Sequence, residues 1–381
     1  MKKIKRCTRC IMDNSSDKTI KFDDKGQCNY CTEALQRMER EYFPDKKGEK
    51  KLKELIKLLK REGKGKPYDC MMGISGGLDS SYLAYLGSKW GLRILAIHID
   101  DGFDTEISKS NISKLCDKAN IKLITIKPDA KQYNALTKAY LKAGVPNIAA
   151  PQDNILFANL YKYARKNKIK YFLSGSNFAL ECILQKGNSH NAYDIVNMKH
   201  IHKLFGEEPM NKLEIISDWQ RDIDWLINRI ETVCPLNYID YNRERAFKEL
   251  KEFCGFEYYG RKHLENILTA FAQLYWFPKK FGVDKRTSHL SSMIVSGQMT
   301  REEAMEEYSL PLYDEKQMSE YIAIVKDKLN ISEQEFEEIM KAPAKQHAVY
   351  KRSVYARVRG GLLKIRRKFL NYMKSRKEQK R

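Results

Sequence analysis

Residues 73–81 read Gly73-Ile74-Ser75-Gly76-Gly77-Leu78-Asp79-Ser80-Ser81. An apolar run at 68–74 leads into them and a helical pattern at 79–90 follows, so they form a strand, a small-residue loop and a helix start. Successive backbone N–H groups in such a loop, backed by the positive end of the helix, suit an anion. Gly76 and Gly77 tolerate positive φ and let a phosphate approach the backbone, while Ser75, Ser80 and Ser81 add hydroxyl donors. The Gly-Lys-Ser/Thr ending of a Walker A loop is missing, and the stretch is not a G-x-G-x-x-G fingerprint.

The same unit recurs outward from the loop. Apolar runs at 93–99, 121–126 and 171–173 alternate with helical patterns at 106–119 and 154–166, which predicts an α/β fold: a parallel sheet with helices on both faces. Upstream, Leu52, Leu55, Ile56, Leu58 and Leu59 place a charged helix over 46–64. From about residue 209 strand signals fade. Helices are expected there at 218–230, 243–253, 263–276, 301–308 and 314–329. This divides the chain into a module at 1–45, the sheet domain at 46–208, a mainly helical C-terminal region at 209–345 and a basic tail at 346–381.

Cys7/Cys10 and Cys28/Cys31 form two Cys-x-x-Cys pairs with 17 residues between them. Two such knuckles close a tetrahedral thiolate shell with no open position, which reads as structural Zn²⁺ rather than a catalytic metal. The segment between is polar and too poor in apolar residues to fold unaided, so metal binding would supply its folding free energy. Cys70, Cys116, Cys182, Cys234 and Cys254 are scattered and read as small buried hydrophobes.

Composition narrows the class. The 381 residues carry a formal charge of +21 and are 42% apolar. Thirteen basic residues and one acid, Glu378, lie in the last 31 positions, so about +12 of the charge sits there. No run reaches the 18 apolar residues of a spanning helix, and the start lacks the apolar centre of a signal peptide, so a cytoplasmic protein is expected. Gly360-Gly361 opens an amphipathic pattern with Leu362, Ile365, Phe369 and Met373 near one face. A solvated terminus is the default reading of this tail; anionic lipid, nucleic acid or an acidic partner are the alternatives.

The loop resembles the SGGxDS motif of the PP-loop ATP pyrophosphatases, the class of asparagine synthetase, GMP synthetase and tRNA-thiolating enzymes. The resemblance implies that ATP is cleaved between its α and β phosphates. It assigns Gly73, Ser75, Gly76, Gly77, Leu78, Asp79, Ser80 and Ser81 to the nucleotide, with Asp79 helping to hold Mg²⁺. The strand end His98-Ile99-Asp100-Asp101 would contact adenine and ribose, although a satisfied core imidazole serves equally well for His98. The turn Ser174-Gly175-Ser176-Asn177 resembles the second nucleotide-contacting turn, which adds Gly175 and Asn177. Asp153 is read as a helix cap or a substrate contact.

Two further blocks resemble the N-acetyl sugar amidotransferases of bacterial surface-glycan biosynthesis. One is Phe281-Gly282-Val283-Asp284-Lys285-Arg286-Thr287-Ser288-His289-Leu290-Ser291-Ser292, continuing through Ile294-Val295-Ser296-Gly297-Gln298 to Arg301-Glu302-Glu303-Ala304. The other is the opening Arg6-Cys7-Thr8-Arg9-Cys10-Ile11-Met12-Asp13. Lys285 and Arg286 suit a nucleotide-sugar phosphate, and His289 faces the same way if the segment is helical. With Asp79 they are the candidate catalytic residues. The resemblance implies that the acetamido group of a UDP- or CMP-linked N-acetyl sugar is adenylated and its oxygen replaced by ammonia. No N-terminal cysteine nucleophile is available, so the resemblance implies a separate HisH-like glutaminase and a HisF-like partner. The rival reading is a tRNA-modifying enzyme of the same fold, which the basic charge favours. Against nucleic acid as a partner, most of the excess charge lies in the tail, outside the resemblance.

Overall fold

The computed structural model describes residues 4–260, 264–355 and 358–359. Two helices, α1 (Asn29–Glu41) and α2 (Lys46–Glu62), lead into an alternating run. It comprises β1 (Cys70–Gly73), α3 (Leu78–Lys89), β2 (Ile94–Ile99), α4 (Glu106–Lys118) and β3 (Lys122–Ile126). Next come α5 (Ala130–Ala143), α6 (Ala150–Asn167), β4 (Tyr171–Leu173), α7 (Phe178–Glu181), α8 (Ile195–Phe205) and α9 (Asp218–Ile223). A π-helical turn, Asp224–Asn228, leads to β5 (Glu231–Val233). The remainder is helical: α10 (Arg243–Cys254), α11 (Ile267–Phe271), a π-helical stretch Ala272–Phe281 and α12 (Arg286–Ser296). It ends with α13 (Arg301–Ser309), α14 (Glu315–Lys328) and α15 (Glu333–Lys341).

All five strands are parallel, in the order β3-β2-β1-β4-β5. From β1 the chain first builds outward through β2 and β3, then returns to the other side of β1 for β4. The carboxyl ends of β1 and β4 therefore flank the topological switch point, where open α/β sheets leave a crevice. The central strands β1, β2 and β4 are buried because helices cover both faces, while the flanking β3 and β5 are partly exposed. Cys70, Met72 and Ala96 pack into one core with α3, α4, α10 and α12. Met71, Leu95 and Ile97 alternate with them and pack into the other, with α5, α6, α11 and α15.

Several expectations change. A fifth strand, β5, lies inside the region expected to be helical. It has three residues, two of them exposed, and so no apolar run. The helix α5 was not among the expected elements, and neither was α15. The expected helix over 218–230 is α-helical only to Ile223, then π-helical, and ends at Arg229, whose φ of 52° breaks it before β5. The expected helix over 263–276 is likewise α-helical from Ile267 and π-helical from Ala272. At the start of the expected tail, His347 and Tyr350 are buried, and the Tyr350 hydroxyl donates to the Ala143 carbonyl at 2.7 Å. The amphipathic pattern from Gly360 to Met373 lies outside the described residues.

Candidate functional site

Gly76 has φ +75°, and a Cβ there would lie 2.5 Å from the Ser108 carbonyl oxygen, so α4 holds the loop from below. The loop is also tied internally. Gly77 N–H donates to Ser75 Oγ at 3.2 Å, and Ser80 Oγ donates to the Gly77 carbonyl at 3.2 Å. Gly175, at the end of β4, lies so close to α3 that a Cβ would stand 3.0 Å from Ser80 N. Twelve of the fifteen α-helices in the described residues begin with a side-chain cap. The three whose N-cap residue supplies none are α3, α6 and α12. At α12, Asp284 takes the Arg286 N–H from one residue further out, at 2.8 Å. All three helices begin at the same crevice.

That crevice holds two adjoining cavities. The larger, about 550 Å³, lies over the strand ends and is lined by Gly73, His98, Asp104, Asp153, Leu173 and Lys285 among others. The smaller, about 270 Å³, lies under α12 and is lined by Asp79, Glu181, Arg243, Lys285, Arg286 and His289 among others. Ser75, Gly175, Glu265, Gln273 and Lys285 line both, so the cavities meet at the loop.

The candidate residues are not placed alike. Ser75, Gly77, Leu78, Asp79, Ser80 and Gly175 line the smaller cavity, and Gly73 and Ser75 the larger. Asp79 accepts a hydrogen bond from the Tyr241 hydroxyl. Ser81 is fully buried behind the loop. Both His98 nitrogens are taken, Nδ1 by the Ile74 carbonyl at 2.9 Å and Nε2 by Asp104 at 3.0 Å. Burial alone would lower the His98 pKa, but the Asp104 carboxylate outweighs it and the net shift is upward. Asp100 lines neither cavity and pairs with Lys127 at 3.2 Å. Asp101 is buried among Tyr133, Gln152 and Asn266, all of which donate to it. Asn177 caps α7 and donates to the Gly175 carbonyl at 3.1 Å, which shapes the second turn from outside. Asp153 projects into the larger cavity; the surrounding protein pushes its pKa up to about 6.

Lys285 and Arg286 part company. Arg286 spends its guanidinium on both Asp284 oxygens, at 2.7–3.2 Å, and on the carbonyls of Glu307 and Leu310, so it is a strut between α12 and α13. Lys285 has no carboxylate within salt-bridge distance among the described residues. Its Nζ lies 4.6 Å from the Phe277 ring centroid, and burial lowers its pKa to about 8, with Asp17 a small opposing influence. Among the described residues it is the cation that lines both cavities. The motifs did not point to Glu181, Arg243, Tyr259 or Glu265. The Tyr259 hydroxyl accepts from Leu78 N–H at 2.8 Å, and Glu265, 8% exposed, accepts from Ser75 Oγ at 3.1 Å.

The other face of α12 carries the cysteine module. Ser291 Oγ accepts from Ile11 N–H at 3.2 Å, and Arg301 donates to the Cys7 and Cys10 carbonyls. The four sulfurs lie within 4.8 Å of one another, buried, with Cys7–Cys31 at 3.9 Å and Cys10–Cys28 at 3.8 Å. A tetrahedron of Zn–S bonds of about 2.3 Å has edges of about 3.8 Å. Backbone N–H groups of Cys10, Met12, Cys28 and Cys31 point at the sulfurs, as a thiolate shell requires. The donor set fits zinc.

No curated protein matches the sequence. Among solved structures, an NMN synthetase from Francisella tularensis is 16% identical over 58% of this chain and all of its own, at a TM-score of 0.29. An NH3-dependent NAD synthetase from Campylobacter jejuni is 15% identical over 59% of this chain and 96% of its own, also at 0.29. Scores this low leave the fold to rest on the strand order and loop described above. Residues 265–360, which run from Glu265 through Lys285 and the module-binding face of α12, match the family described as LPS biosynthesis protein WbpG-like, C-terminal domain.

Proposed function

We propose that this chain is the synthetase component of an ATP-dependent, AMP-forming amidotransferase acting on the acetamido group of a nucleotide-linked N-acetyl sugar. The observation that carries the reading is the junction of the two cavities at the loop and Lys285. A nucleotide over the strand ends would present its triphosphate to the loop, and an acceptor under α12 would meet it there. The larger cavity falls within the usual size of small-molecule sites.

An amide oxygen is a poor leaving group and AMP a good one, so activation must precede substitution. The acetamido oxygen attacks the α-phosphorus and pyrophosphate departs; ammonia then adds to the imidate carbon and AMP leaves, with a proton lost from nitrogen. The N–H groups of the loop and the Lys285 ammonium stabilise charge on the departing pyrophosphate, and the facing cavities supply orientation. Asp79, Glu181 and Glu265 offer oxygen donors along the smaller cavity without forming a closed cage, which suits Mg²⁺, an ion that keeps water and shares substrate phosphates.

Burial raises the pKa of each of the five cysteines outside the module, the opposite of what a glutaminase nucleophile needs. Ammonia would therefore come from a separate source, for which the resemblance to the sugar amidotransferases implies a HisH-like glutaminase subunit with a HisF-like partner. The test is a substrate panel. AMP and pyrophosphate should appear only with a UDP- or CMP-linked N-acetyl sugar plus ammonium, and Lys285→Ala should abolish them with zinc content unchanged. Turnover driven by tRNA would replace this reading with a tRNA-modifying enzyme, and ADP as product would overturn both.

A further inference from the structure

Outside both cavities, α9 and the π-helical turn after it are inside out. Their buried side chains are acids: Asp218 and Asp224 are 3% and 2% exposed. Asp218 accepts from Asn191 at 2.5 Å and pairs with Arg221 and Arg359, while Asp224 accepts from Arg165 at 2.6 Å. Their outward side chains are apolar. Trp219, Leu226 and Ile227 are 58%, 66% and 73% exposed, and Trp225 between them is 43% exposed. Large apolar side chains as exposed as Trp219, Leu226 and Ile227 are costly unless another apolar phase covers them.

The patch continues at residues 354–355 and 358–359. Val354 and Val358, one helical turn apart, are also exposed. This segment is fastened to α9: Tyr355 donates to Asp222 at 2.5 Å, Arg359 grips both Asp222 oxygens at 2.6 Å, and the Trp219 and Tyr355 rings meet edge to face at 5.5 Å. The acids beneath the patch are thus neutralised from within. From Arg359 the sequence runs directly into residues 360–381, which hold nine Lys and Arg against one acid, Glu378.

We propose that this face docks on an anionic lipid bilayer, with Trp219, Leu226 and Ile227 entering the headgroup–acyl boundary; the nine cations in the sequence that follows Arg359 favour anionic lipid as the occupant. Exposed apolar side chains together with a basic stretch of sequence are the pairing that interfacial binding uses. No helix among the described residues is long and apolar enough to span a bilayer, so the contact would be peripheral. The proposal is independent of the reaction assigned to the cavities.

The full-length protein is floated with vesicles of phosphatidylcholine alone or mixed with phosphatidylglycerol, and its tryptophan emission is followed. Trp276 is fully buried and Trp90 packs against the core, so a blue shift reports Trp219 and Trp225. Flotation and a blue shift with the anionic vesicles are expected. Leu226→Asp/Ile227→Asp should cut partition by about tenfold or more with thermal stability unchanged, because both side chains are already exposed. Absence of flotation overturns the proposal, and so does flotation that this double substitution leaves intact, which would mean charge alone binds. A dimer in light scattering that the same substitution dissociates, with no vesicle binding, would assign the face to a protein contact instead.

Discussion

Replacing Gly76 and Gly77 separately with alanine tests the loop geometry, because the neighbouring glycines are required for different reasons. At Gly76 the backbone φ is +75°, a region that costs an L side chain about 1–2 kcal/mol. The added Cβ would also sit 2.5 Å from the Ser108 carbonyl oxygen and 2.8 Å from Ser108 Cβ, and α4 cannot yield there without moving as a helix. Overpacking of this kind adds about 1–3 kcal/mol, so Gly76→Ala should cost about 2–5 kcal/mol in total. At Gly77 φ is −74° and ψ 157°, ordinary for alanine. Its Cβ would meet Glu265 Oε1 at 2.5 Å, the far end of a side chain able to rotate away. Gly77→Ala should therefore cost under about 1 kcal/mol, while displacing Glu265 from Ser75 and reducing ATP turnover. Urea midpoints of both variants measure the first difference, and pyrophosphate release from Gly77→Ala the second. Equal midpoints for the two variants, or full turnover by Gly77→Ala, would refute the reasoning.

The pH dependence follows from Lys285. Burial lowers its pKa from 10.5 to about 8, so the charged form is lost above that pH and kcat/KM should fall on an alkaline limb near 8. Lys285→Arg should move that limb upward; an unmoved limb excludes Lys285 as its source. In stability the same shift has its own sign: the cost of burying the ammonium is full below pH 8 and fades as pH rises toward 10.5. Cys28→Ser should release zinc, measured by elemental analysis, and lower activity along with it, because the module packs on α12; activity that persists in zinc-free protein would uncouple the two. Ser291→Ala leaves the buried Ile11 N–H without its acceptor and should destabilise the protein by about 1–3 kcal/mol in urea unfolding, with Lys285→Met as the contrasting change on the cavity side.

Parallel strands covered on both faces leave continuous apolar runs, and so β1, β2, β3 and β4 are legible from residues 68–173. Three-residue β5, with Glu231 and Thr232 exposed, carries no such mark. Helix α5 does carry one, in the spacing of Tyr133, Leu136 and Tyr140, all buried. The glycine loop after β1 is legible because strand, glycines and helix start are contiguous. Glu265, Tyr259 and Arg243 reach the loop or its cavities from more than 150 positions away, and no local pattern announces that distance.

The hardest separation is between adjacent cations. Lys285 and Arg286 are equivalent as charges in the sequence, yet Asp284 and two carbonyls occupy the guanidinium while the ammonium is left between the cavities. The same division runs through the whole block. Ser288 bonds back to the Lys285 carbonyl, Ser291 holds Ile11, Ser292 holds Ile183, and Ser296 donates to the Ala179 carbonyl. Most of the block that resembles the amidotransferases is therefore a spine. It locks the cysteine module to one side of α12 and α7 to another, and so fixes the height at which one lysine overlooks the loop. A metal held by the four cysteines would then be coupled to the proposed chemistry through a single helix, because the residues that seat the cysteine module and the residue that faces the cavities are turns of the same element.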